Sequence, residues 1–119
     1  MTITPADAMQ VLLTIQACHR RTAPRMDDEQ AARVTATIWA ELFNTFQLDL
    51  PDLIAAVKKR AARYADAPEP AEIIGFAREI RRDRAERESA VARQQREDRQ
   101  DVQLIARVNP AAISGGPGA

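Results

Sequence analysis

Few residues in this chain could do chemistry, and their spacing works against it. Cys18 and His19 are the only cysteine and the only histidine, and they are adjacent. A zinc site takes four ligands, and no second Cys or His exists to complete one. A Cys–His nucleophile pair must meet in space with a third group that orients the base, whereas neighbours at a helix end point in different directions. Asp27, Asp28 and Glu29 form an acidic run. They lack the alternating oxygen ligands and the glycine of a calcium loop, and helix capping accounts for them. The four glycines are Gly75 and three near the C-terminus, so there is no glycine-rich phosphate loop. The expectation is a non-enzymatic chain with no cofactor, no metal and no small-molecule substrate.

What remains are surfaces. Arg78, Arg81, Arg82 and Arg84 cluster where an apolar helical stripe ends. Arg78, Arg81 and Arg82 share part of one helix face. A solvated, salt-bridged helix would explain them, and so would a surface for phosphates or for an acidic partner. Val102, Leu104, Ile105 and Val108 form an apolar island after a long polar run. Such residues either fold back or form a short helix offered to a groove on another protein, and the second is preferred. Trp39, Phe43 and Phe46 could stack on bases, but their helical spacing beside Ile38 and Leu42 favours core packing.

These residues need elements to hold them. Thr4-Pro5-Ala6-Asp7 announces a first helix with a cap, an N1 proline and an early acid. Ala8, Val11, Leu12 and Ile15 follow at helical spacing, and the signal fades at Cys18. A second helix opens at Asp27 or Asp28. Val34, Ile38 and Leu42 form one stripe on it, and Trp39, Phe43 and Phe46 an adjacent one. After an exit turn over Asn44–Leu48, a third helix opens at Asp49-Leu50-Pro51. Leu50, Leu53, Ile54, Val57, Ala61 and Tyr64 line one of its faces, with Lys58, Lys59, Arg60 and Arg63 in its second half. Pro70 opens a fourth helix, with Ile73, Ile74, Ala77 and Ile80 as its buried stripe. Beyond Ile80 the stripe stops, but i,i+4 pairs such as Arg82–Glu86, Asp83–Arg87 and Arg93–Glu97 can sustain an exposed helix.

The fold class is therefore all-α: a small bundle of three helices plus a long C-terminal fourth helix that extends as a charged arm. The expected organisation is a bundle domain over 1–84, a charged helical arm with the apolar island over 85–108, and a disordered tail over 109–119. The expected core is Leu12, Ile15, Ile38, Trp39, Leu42, Leu53, Ile54, Val57, Ile73 and Ile80.

The 119 residues carry 17 Lys+Arg against 17 Asp+Glu, so the net charge is zero. A dedicated nucleic-acid binder shows a basic excess, so direct binding of nucleic acid is expected to be weak. A single cysteine makes no internal disulfide and suits a reducing compartment. The start has no signal-peptide pattern and no stretch is apolar enough to span a bilayer, so a cytoplasmic protein of a bacterial host cell is expected.

The stretch from Trp39 to Arg84 resembles the phage replicative-helicase loader/inhibitor family. The matching features are Trp39-x-x-Leu42, a helix running Leu53 through Val57 to Arg60, the Pro70-x-x-Ile73 helix start, and the Ala77–Arg84 run in loosened form. The resemblance implies a small helical phage or prophage protein that binds a hexameric replicative DNA helicase, holds it inactive and helps deliver it to an origin. It also implies a helical N-terminal region and a flexible C-terminal part implicated in helicase contact. The alternative from the residues alone is a phage helix-turn-helix regulator, with Lys58, Lys59, Arg60 and Arg63 on phosphates. The turn over Asn44–Asp49 is long for that motif.

Overall fold

The computed structural model of the chain describes residues 2–108, with only the backbone of Val108. Four helices follow in order: α1 (Pro5–Cys18), α2 (Glu29–Thr45), α3 (Leu50–Ala61) and α4 (Pro70–Val108). Among the described residues there is no strand. The expected tail lies outside the described residues, as does the Val108 side chain. The chain divides into two units, Met1–Arg82 and Asp83–Ala119.

In the first unit α1 packs against both α2 and α3. Thr4 starts α1 with a full capping box: its hydroxyl accepts from the Asp7 N–H at 3.1 Å, and the Asp7 carboxylate accepts from the Thr4 N–H at 3.0 Å. Asp28 caps α2 through the Ala31 N–H at 3.1 Å. Val11, Leu12 and Ile15 are sealed in a core with Phe43, Leu48, Leu53, Val57 and Ile73. Ile54 and Ile80 pack at its margin.

Helix α2 corrects the expected core. Ile38 is 49% exposed and Leu42 41% exposed, and Val34 lies on the same stripe at 54%. The buried side is instead Ala32, Ala36, Trp39, Ala40 and Phe43. The alanines carry little hydrophobic weight, but their small side chains let a neighbouring helix approach closely. Trp39 and Phe43 then fill the flanking space edge to face, their centroids 6.0 Å apart. Phe46 is also partly open, and Tyr64 lies beyond the end of α3 and is half exposed.

The turn after α2 begins two residues later than expected and occupies residues 46–49. Gln47 adopts φ 54°, in the left-handed region. Its N–H bonds to Asn44 O at 3.1 Å and the Leu48 N–H to Phe43 O at 3.4 Å, the pairing of a Schellman motif. The reversal drops Leu48 into the core, fully buried. Asn44 then clamps the chain's start: it accepts from the Ile3 N–H at 2.7 Å and donates to Ile3 O at 2.9 Å. Ile3 is buried as a result, which no local pattern foretold.

The second unit continues α4 through a surface of Arg, Asp, Glu and Gln. Among its described side chains, Gln94 donates to Asp98 at 3.0 Å, one turn along.

Candidate interaction surface

Three of the four singled-out arginines belong to the first unit, and two of those are engaged within it. Arg81 donates through Nη1 to Phe46 O at 3.1 Å and Gln47 O at 3.0 Å. It thereby satisfies carbonyls at the C-terminal end of α2, where a cation also complements the helix dipole. The Arg78 guanidinium lies over the Phe46 ring, 5.0 Å from its centroid. Arg82 is exposed. Arg84 begins the second unit, is exposed, and is engaged by another group. The four therefore do not act as one basic patch: Arg81 is structural, and Arg78 both shields an aromatic ring and faces solvent.

Arg60 corrects its assignment as a phosphate contact. Its side chain is 3% exposed. Nε donates to Glu72 Oε2 at 3.0 Å and Nη1 to Asp66 O at 2.6 Å, with the Asp66 carboxylate 3.5 Å from Nη2. The guanidinium plane also lies 5.0 Å from the Tyr64 ring centroid. Arg60 is the internal fastener between the end of α3 and the start of α4. Of the basic set on α3 and after it, Lys58 and Arg63 remain exposed and Lys59 is half-buried.

His19 and Cys18 part company. Cys18 is exposed. His19, at the C-terminal cap of α1, is 3% exposed, and its Nδ1–H donates to Ala65 O at 3.1 Å. The Ala67 N–H donates to the Thr22 hydroxyl at 2.7 Å beside it. Together these bonds tie the loop after α1 to the connector before α4. Among the described residues no group of three His, Cys, Asp or Glu side chains is placed to hold a metal.

The apolar island keeps its side chains outside any core. Val102 is 53% exposed, Leu104 59% and Ile105 50%, all on helix within the second unit. Val91 on the same unit is exposed as well. Val102 and Ile105 fall on one face at i,i+3, while Leu104 lies about 100° from Ile105 and about 160° from Val102, so the island wraps around much of the helix rather than forming a narrow seam.

No family model, curated protein or solved structure matches this chain. The chain's own surface is therefore the ground for any functional reading. That surface offers two kinds of feature among the described residues: a helical apolar island on a polar unit, and an apolar stripe on α2 that the sequence had assigned to the core. No helix among the described residues is long and apolar enough to cross a membrane, so neither feature is a bilayer span.

Proposed function

We propose that this chain is a non-enzymatic accessory protein of phage or prophage replication. It binds a hexameric replicative DNA helicase and controls its loading or activity. The observation that carries the proposal is the exposed island of Val102, Leu104 and Ile105 on an otherwise charged helix. An exposed apolar helical segment of this kind suits a hydrophobic groove on another protein, with the surrounding charges setting register. The resemblance of Trp39–Arg84 to the helicase loader/inhibitor family supplies the identity of the partner. Arg82, exposed at the end of the first unit, would supply a further cation for acidic groups on the helicase.

The test is direct binding to a purified bacterial replicative helicase. Full-length chain should bind and change its ATPase or unwinding rate. A chain truncated after Glu88 retains the whole first unit and should stay folded without binding. Equal binding by the two would overturn the assignment of the contact. A helix-turn-helix regulator is the competing proposal; it keeps Lys58, Lys59 and Arg63 for phosphates but not Arg60. Steeply salt-dependent binding to duplex DNA would favour it.

A further inference from the structure

The stripe Val34–Ile38–Leu42 repeats every four residues along α2 and continues to Phe46 at its exit. Every member is more than one-third exposed. Its two ends carry opposite charge. Asp27 and Asp28 are exposed at the start of the helix, where Glu29 is paired with Arg33 at 2.6 Å. At the other end the Arg78 guanidinium sits 5.0 Å from the Phe46 ring centroid, and Arg82 follows one turn later on α4. Ile38 lies midway, ten residues after Asp28 and eight before Phe46. An apolar strip with an acidic and a basic end is complementary to a copy of itself turned end for end.

We propose that α2 is the interface of a homodimer in which two copies pack antiparallel about a two-fold axis at Ile38. Ile38 meets Ile38 of the second copy, and Val34 of each meets Leu42 of the other. Asp27 and Asp28 at the start of each α2 face the Arg78 and Arg82 end of its neighbour. A parallel pairing would set acid against acid and arginine against arginine, which charge repulsion opposes. Two-fold pairing uses the same patch on both copies, so the contact closes at two and does not propagate. The strip is short, about 18 Å from Val34 to Phe46 at ~1.5 Å per residue, so the dimer is weak and depends on concentration. This interface is separate from the helicase contact and stands without it.

Sedimentation equilibrium of the full chain from about 10 μM to about 1 mM, spanning weak affinities, should show the average mass rising from 13.2 kDa toward twice that value. Ile38→Glu should hold it at the monomer mass with an unchanged helical circular-dichroism signal. Orientation is read by oxidation in a Cys18→Ser background. Ile38→Cys should form a cross-linked dimer. Val34→Cys should not, because antiparallel packing offsets the two copies of residue 34 by about 12 Å along the axis, at ~1.5 Å for each of eight residues, beyond the ~7 Å Cα separation a disulfide tolerates. A monomer at every concentration, a dimer that survives Ile38→Glu, or cross-linking at both positions would each overturn the proposal.

Discussion

Arg60 Nε donates to Glu72 Oε2 at 3.0 Å, while the other oxygen of that carboxylate accepts from the Glu69 N–H at 3.2 Å. One carboxylate thus caps the start of α4 and neutralises the buried cation at the end of α3. The connector between them is held from inside, because Arg60 also bonds to Asp66 O. Twelve residues separate the two partners in sequence, and the bond ties the first turn of α4 to the end of α3.

Arg60→Ala should lower unfolding stability by about 2–3 kcal/mol, since it strips a buried, charge-assisted network and leaves Asp66 O without its donor. Glu72→Gln preserves shape and should cost about 1 kcal/mol. Urea unfolding of both variants checks the order. Equal, negligible losses would show that the network contributes nothing.

Gln47 sits at φ 54° where glycine is the residue most at ease. Gln47→Gly should raise stability by about 0.5–1 kcal/mol, as relief of left-handed strain outweighs the added freedom of the unfolded chain. Arg81→Ala removes two bonds to carbonyls of the same turn and should lower it by about 1 kcal/mol. Thermal melts of the two variants should move in opposite directions.

Asn44 holds Ile3 by both its N–H and its carbonyl. Asn44→Ala should cost about 1–2 kcal/mol and loosen the residues before α1. Amide hydrogen exchange at Ile3 and Thr4 should accelerate well beyond the change seen in α3. Uniform acceleration across the first unit would mean global rather than local release.

Phe43→Ala and Ile38→Ala separate the two faces of α2. Phe43 is fully buried, and its truncation should cost about 3–5 kcal/mol. Ile38 is half exposed and should cost well under about 1 kcal/mol when measured on dilute protein. Comparable losses at both sites would place Ile38 back in the core.

If the proposed helicase contact holds, Leu104→Asp combined with Ile105→Asp should abolish binding to a purified replicative helicase and leave the melting temperature unchanged, because both side chains are half exposed or more. Isothermal titration calorimetry beside a melt checks both halves. Undiminished binding would remove the island from the contact.

Local signals were enough for the all-α class, the four helices and most of their starts. Thr4, Asp28 and the prolines act within one turn of themselves, so their effect is written in adjacent residues. Hydrophobic period placed Leu12, Ile15, Leu53, Val57 and Ile73 correctly, because each sits on a helix with a single apolar face. The exposed island was legible because a long, mostly charged run separates it from the apolar stripe that ends at Ile80.

The tertiary structure decided which of two apolar faces of α2 is buried. Both stripes are hydrophobic, and only the close approach of another helix, permitted by Ala32, Ala36 and Ala40, selects between them. It also decided that Arg60 and Arg81 are fasteners rather than surface charges, and that Leu48 and Ile3 belong to the core. A charge's role depends on where its partner's backbone arrives, and here the partner lies between 6 and 35 residues away along the chain. Periodicity records what a segment can bury; packing geometry determines what it does bury.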